Sequence, residues 1–425
     1  MKIEKILEVL KQNYLCNHCL GRLIANLLSG LTNEERGKIL RYYLAFLIDS
    51  GEKIDIRSSN FYGMKFRNVK IKVEKPERCI VCNNFFEKKI DEIAKKIVKK
   101  LKEIEFESFL IGSIPTDEML RSEEKLWEKI GTEYVETIKS ELNRELGKKI
   151  EKLMNKKFSR ENPDVTIVVN LTNNSIRLQI RSLYIFGRYK KLVRGIPQSK
   201  WKCPKCGGKG CVYCKGTGKL YPTSVQEIIE KPLLKVSKAK KSKFSGMGRE
   251  DIDARCLDYR PFVIELVKPL RRKFKLKELQ RQINKSKKVK VKDLKFTNKL
   301  LIRKIKTERV DKTYLAEVTF TKPIENKKLK DLKQLVQMPV VQKTPTRVLH
   351  RRANKIRRRS VREIKWKVIS SRKLQLKIRG ESGLYIKELI TGDNGRTKPN
   401  VAEILNNKVK KIKLDVIKIH TKGVI

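Results

Sequence analysis

Four Cys-x-x-Cys pairs constrain this chain more than any other feature: Cys16/Cys19, Cys79/Cys82, Cys203/Cys206 and Cys211/Cys214 account for eight of its nine cysteines. Two residues between thiolates let one tight turn aim both sulfurs at a single ion, and two such turns complete a tetrahedral zinc site. One tetrad would clip the first two pairs together across a segment that reads as helical. There Thr32-Asn33-Glu34-Glu35 forms a capping box ahead of Ile39, Tyr43, Phe46 and Leu47. The other tetrad is local: two adjacent copies of Cys-x-x-Cys-x-Gly-x-Gly, whose glycines let backbone amides approach the sulfurs. The expectation is one or two structural zinc ions, with disulfides and redox dithiols as the alternatives. Four thiolates leave no coordination position for a catalytic water, and His18, His350 and His420 form no metal triad. His18, inside the first pair, reads as a surface spacer.

The 102 Lys+Arg against 47 Asp+Glu give a net charge of +55, which points to a polyanion and first of all to nucleic acid. A length of 425 residues implies two or three domains, and 39% hydrophobic content suffices for several modest cores. Apolar stretches such as Leu44-Ala45-Phe46-Leu47-Ile48 are interrupted by charge well before the roughly 18 residues a membrane span requires, so no transmembrane helix and no membrane partner are expected. Met1-Lys2-Ile3-Glu4-Lys5-Ile6 alternates charges with aliphatics, unlike a secretory leader, and a cytoplasmic location is expected. Dense Lys and Glu together point to a thermophile. No phosphate-binding Gly-x-x-x-x-Gly-Lys loop or Rossmann fingerprint occurs, which argues against kinase, ATPase and dehydrogenase functions and against a small-molecule cofactor. A monomer is expected.

Four segments are expected along the chain. Residues 1–82 form the zinc-clipped element. Residues 83–200 read as mixed α/β: a helix with Ile90, Ile93, Ile97 and Leu101 on one face, a strand over Phe106–Ile111, and a long helical stretch from Thr116 to Lys156. A hairpin follows, Val165–Val169 with Ile176–Ile180, and then the aromatic run Ser182 to Lys191. This arrangement resembles a THUMP domain, an RNA-binding module of tRNA-modifying enzymes. Residues 201–222 hold the cysteine repeat, which resembles the zinc-binding repeats of DnaJ-type chaperones. Residues 223–425, entered through a capped helix at Ser224–Glu227 and a basic linker Lys235–Lys243, alternate strands and helices and form the catalytic domain.

The run Gly246-Met247-Gly248-Arg249-Glu250-Asp251-Ile252-Asp253 holds an Arg-x-Asp core that resembles the catalytic loop of pseudouridine synthases. Its continuation through Tyr259 to Leu266 is similar to the form used by the archaeal Pus-ten family of tRNA pseudouridine synthases. Two later segments resemble that family's other motifs: Lys312-Thr313-Tyr314-Leu315-Ala316-Glu317-Val318 and Gly383-Leu384-Tyr385-Ile386-Lys387-Glu388-Leu389. The resemblance implies Asp251 as nucleophile or base, with Asp253 as its rival, Tyr314 stacked on the target base, and Lys387 as the basic partner of the aspartate. It also implies Ile386 and Leu389 as an apolar wall with Tyr385 beside them, and uridines 54 and 55 of the tRNA T-loop as targets. Arg249 is placed to hold Asp251 or a flanking phosphate. Lysine at 387 replaces the arginine of many synthases and gives up the bidentate fork. Asn400 stands where the family has serine, still able to cap a helix.

Between the second and third motifs, Thr344 to Arg359 carries seven Lys/Arg and no acid. Such density suits phosphate binding, with Arg347, Arg351, Arg352 and Arg357 as candidates, in a loop expected to order on RNA. The fold implied is a multidomain α/β (α+β) protein. It combines the zinc-clipped helical element, a THUMP-like domain, and a catalytic domain built on a central, mostly antiparallel sheet with flanking helices. Uridine isomerisation requires no catalytic cofactor. The rival readings are a non-catalytic zinc-containing RNA-binding or RNA-chaperone protein, and a THUMP-bearing tRNA methyltransferase or thiolase.

Overall fold

The computed structural model describes residues 3–76 and 78–421, in two units, 1–181 and 182–425. The first unit carries 35 Lys+Arg against 27 Asp+Glu and the second 67 against 20, so +47 of the +55 belongs to the second.

In the first unit the expected division near residue 82 is absent. One hydrophobic core runs from Ile6 through Cys16, Cys82, Ile97 and Phe109 to Val169, so the zinc-type element and the α/β element fold around a shared interior. The capping box forms as read: Thr32 accepts from the Glu35 amide, and the Glu35 carboxylate accepts from the Thr32 amide, at the head of helix Asn33–Asp49. That helix, however, buries Leu40, Leu44 and Ile48 together with Gly37 and Arg41, and leaves Ile39, Tyr43 and Phe46 exposed. Backbone approach decides the face. A Cβ on Gly37 would lie 2.0 Å from the Asn17 carbonyl oxygen, so only this side of the helix can press on helix Asn17–Arg22. The long helical stretch is two helices, Asp117–Ile130 and Ile138–Met154, broken at Gly131 (φ +88°) and restarted by Thr137, whose hydroxyl accepts from the Ser140 amide. Strands β1 (Ser108–Ile114), β2 (Lys157–Phe158), β3 (Val165–Asn170) and β4 (Ser175–Ile180) form a sheet in the order β2-β1-β3-β4, with the expected antiparallel β3–β4 hairpin.

The second unit begins earlier than expected. The aromatic run forms β5 (Leu183–Lys191), but β5 lies between β7 (Arg255–Val267) and β8 (Val289–Thr297) of the large sheet, not in the THUMP-like sheet. Ile185 and Tyr189 point inward; the paired residues lie from 65 (Lys191–Cys256) to 113 (Tyr184–Thr297) positions downstream, where local pattern is blind. The cysteine repeat is an insertion after β5, leading to helix Val225–Ser237, and the supposed basic linker is that helix's end plus β6 (Lys241–Gly246), which pairs antiparallel with β7. Then come β9 (Lys312–Phe320), β10 (Val340–Lys343), β11 (Ile356–Arg359), β12 (Val361–Ser370), β13 (Lys373–Gly380), β14 (Thr397–Lys398) and β15 (Val409–Ile419). The main sheet runs β12-β13-β9-β15-β7-β5-β8 with β6 alongside β7, antiparallel except for the short β15–β7 contact. The basic segment is not a plain loop: Thr346–Arg351 forms a 3-10 turn, and β11 joins β10 and β14 in a small separate sheet. No described helix is long and apolar enough to cross a membrane.

Candidate active site

The Arg-x-Asp run is the loop between β6 and β7, and buried polar groups tie it down from beneath. Lys191, fully buried at the end of β5, donates from its ammonium to the carbonyls of Asp251 (3.0 Å), Ile252 (3.1 Å) and Ile196 (2.9 Å). Arg194 donates to the Asp253 carbonyl (2.7 Å) while pairing with Asp415 (2.6 Å). Glu250 points down into the core, 3.0 Å from Arg260 Nε, and accepts from the Tyr189 hydroxyl at 2.9 Å. Arg260 Nη1 donates to the Met247 carbonyl, and Gln198 donates to both the Tyr189 hydroxyl and the Gly248 carbonyl. Burial works against the Arg260 charge, but Cys256 and Glu250 outweigh it, so the guanidinium stays charged. Gly248 sits at φ +73°, where a side chain would be strained and would also meet Arg260. With Glu250 turned inward, Asp251 is turned outward.

Asp251 opens onto a cavity of about 260 Å³ whose walls include Gly248, Arg249, Tyr314, Leu384, Tyr385 and Lys387. Its side chain is 30% exposed. Arg347 Nη1 donates to Asp251 Oδ1 at 3.0 Å, while Arg347 Nε donates at 2.7 Å to Glu388, a buried acid. Burial opposes the Arg347 charge, yet Glu388 and Asp251 together raise its pKa. Lys387 Nζ is 3.5 Å from Asp251 Oδ2 but 2.7 Å from both oxygens of Asp253, which is held below the usual carboxylate range: the Lys387 hydrogen bond outweighs burial acting the other way. The three motifs thus meet at one place, with the ammonium poised between the two aspartates.

Tyr314 lines the cavity from β9, and burial pushes its hydroxyl up to about 12. Tyr385 and Ile386 line it as well, and the Tyr385 backbone is clamped by both ends of the Gln342 amide. Leu389 does not: it is wholly buried in the core behind, and Leu384 supplies the apolar wall, because the helix Ile386–Thr391 turns Leu389 inward. Of the four arginines assigned to phosphate, Arg347 is tied into the acid cluster and Arg352 lines the cavity with its Nη1 3.4 Å from the Tyr385 hydroxyl. Arg357 instead donates to the Thr344 hydroxyl at 2.9 Å, away from the cavity. The Arg351 side chain lies outside the described residues. Asn400 caps Val401–Ile404 by accepting from the Glu403 amide.

Four contributors escaped the sequence reading. Lys312 reaches the cavity wall, and burial, followed by Arg260, pushes its ammonium down to about 8. Glu388, Lys191 and Arg260 hold the loop and its partners. For Lys191 a signal existed: it follows Tyr189 by two on one strand and so shares its inward face.

Each cysteine tetrad places its four sulfurs within 4.8 Å of one another. A tetrahedron with zinc–sulfur bonds of about 2.3 Å has edges of roughly 3.8 Å. Cys16–Cys82 is 3.5 Å; Cys203–Cys211, Cys206–Cys214 and Cys211–Cys214 are 3.9, 3.8 and 3.7 Å. Backbone amides of Gly210 and Gly218 donate to Cys206 and Cys214 at 3.2 Å, as expected for thiolates. Both tetrads fit a four-thiolate metal ion. His18 is not the surface spacer expected: it is largely buried, stacked on Phe86 (4.6 Å) and paired with Glu141 (2.8 Å).

Residues 184–420 match the family model "Pus10, C-terminal", and residues 93–170 match "Pus10 THUMP domain, archaeal". Among curated proteins the chain is similar to three named tRNA pseudouridine synthase Pus10. That of Methanothrix thermoacetophila is 40% identical, over 98% of this chain and 94% of its own; that of Methanopyrus kandleri is 40% identical over 99% of each. That of Methanocaldococcus jannaschii is 41% identical over 97% and 93%. With both parts matched and relatives aligned nearly end to end, the chain belongs to the Pus10 family.

Proposed function

We propose that this protein is a tRNA pseudouridine synthase acting on uridines 54 and 55 of the T-loop, with Asp251 as its nucleophile or base. The observation that carries this reading is the meeting of Asp251, Tyr314 and Lys387, contributed by three distant motifs, around one open cavity. The reaction is an isomerisation. The uridine N1–C1′ bond breaks, the base turns, C5 bonds to C1′, and the C5 proton is lost while N1 gains one. A carboxylate suffices, either adding to the sugar or removing a proton from it. Tyr314 stacks on the base, Leu384 and Ile386 exclude water, and Lys387 and Arg347 hold the Asp251 side chain in place. Arg352 and the +47 charge of this unit hold the tRNA backbone outside the cavity. With tRNA labelled with tritium at uridine C5, the protein should release label to water, and mapping should place pseudouridine at 54 and 55. No release from any tRNA sinks the reading, and release confined to other positions sinks the T-loop assignment.

The cysteine tetrads hold structural zinc, which supplies folding energy and takes no part in the isomerisation. Metal analysis of purified protein should find about two zinc ions per chain; fewer than one would refute structural zinc. Cys19→Ala should lose one ion and unfold the first unit at lower temperature, since Cys19 is wholly buried in its core.

A further inference from the structure

A second cavity, of about 210 Å³, lies against the same loop. It shares Arg249, Glu250, Asp251, Arg347 and Lys387 with the first, but its remaining walls are different: Pro197, Gln198, Trp201, Ile252 and Asp253. Nothing in the chemistry of a single uridine uses it.

Trp201 is held in place by the stem of the cysteine knuckle. Its carbonyl accepts from the Leu220 amide at 3.0 Å, its ring meets Tyr221 edge-on at 5.7 Å, and the next residue, Lys202, bridges to Lys219. The Cys203 amide donates to the Gly218 carbonyl at 2.9 Å, so closing the tetrad and fixing the stem are one event. Lys219 is tied in turn to Glu227 at 2.6 Å, anchoring the knuckle to the following helix. The charge of this segment is one-sided: from Lys191 through Gln226 there are eight Lys/Arg and no Asp or Glu. Lys205 lies 4.9 Å over the ring of Tyr213, which is 56% exposed at the knuckle tip. An aromatic wall beside a purely cationic arm suits a stacked nucleobase with its phosphates along the arm. Asp253, exposed on the rim, adds an acceptor for a base N–H.

The geometry also explains why such a place is needed. Turning a uridine out of its stack removes one stacking face from its neighbour, and an aromatic side chain restores it. We propose that the second cavity receives the base of the nucleotide adjacent to the isomerised uridine, stacked on Trp201, with the cysteine knuckle as the arm that carries the indole there. This rests on the reading that the first cavity takes the target uridine.

The test pairs Trp201→Leu and Trp201→Phe, in the full-length metal-loaded protein, with tRNA transcripts carrying an abasic residue on either side of the mapped uridine. On one of the two abasic RNAs the wild type should lose roughly 5- to 150-fold in kcat/KM. Trp201→Leu should lose about as much on intact RNA and nothing further on that abasic RNA, while Trp201→Phe keeps most of its rate. Metal content and melting temperature of Trp201→Leu should match wild type. Losses that multiply independently, or a Trp201→Leu variant as active as wild type, overturn the proposal. Should Trp201→Leu lose its metal, wild type and Trp201→Phe decide alone: equal rates on intact and both abasic RNAs overturn it. A wild type inactive on every tRNA defeats the functional reading itself, whereas an active wild type without this coupling defeats only the second cavity's assignment.

Discussion

Replacing Asp251 by alanine should lower pseudouridine formation by at least roughly 10³-fold, because the variant loses both routes open to a carboxylate, covalent attack and proton removal. The same change should hardly touch stability. Asp251 is partly exposed, and its two cations keep other partners: Arg347 stays on Glu388 at 2.7 Å and Lys387 on Asp253 at 2.7 Å. Asp253→Ala is the control. It releases Lys387 from its nearer aspartate and leaves Asp251, 3.5 Å away, as the remaining acid within reach, so activity should fall less than about tenfold. Single-turnover rates on tRNA with melting curves for each variant check both statements. Full activity in Asp251→Ala, or a larger loss in Asp253→Ala than in Asp251→Ala, would reverse the assignment of the two acids.

Arg260→Met should cost the second unit about 3–5 kcal/mol, a fall on the order of 10 °C in its melting temperature. The guanidinium is 1% exposed, and the Glu250 carboxylate beside it is fully buried, so removing one charge leaves the other in a low-dielectric interior. Tyr189 still donates to Glu250 but cannot neutralise it. Adding Glu250→Gln to Arg260→Met should recover a good part of the loss, since a neutral amide needs no counter-charge. Activity should drop with stability in the single variant, because Glu250 precedes Asp251 directly and its inward anchoring turns the next side chain outward. A single variant that melts with wild type would show that this buried pair carries no weight.

The site also shows how far the sequence could be read. That Asp251, Tyr314 and Lys387 come together was legible because their three segments resemble the motifs of one family, and the cysteine tetrads because metal geometry acts over a few residues. Arg347 was read as a phosphate ligand: its density of basic neighbours was visible, whereas its acidic partners stand 41 and 96 positions away. Leu384 and Leu389 lie in one short segment, and only the turn into the helix decides which of them faces the cavity. Helix Asn33–Asp49 is apolar on two sides, so periodicity could not choose between them; a glycine that permits backbone contact did. Strand β5 was recognised as a strand and assigned to the wrong sheet for the same reason: type is local and partnership is not.

Strand β15 has a consequence for how this protein is put together. It is the last strand among the described residues, yet it occupies the middle of the main sheet, joining β9 along nearly its whole length and touching β7 at Asp415–Arg255. On one side of it stands the loop with Asp251; on the other stand Tyr314 and the segment leading to Lys387. Without β15 the sheet would divide into two halves, each with an unpaired edge facing the other, and the two sides of the cavity would not be joined. The Asp251 loop and the Tyr314 strand are therefore brought into one site only when β15 has paired with both of its neighbours.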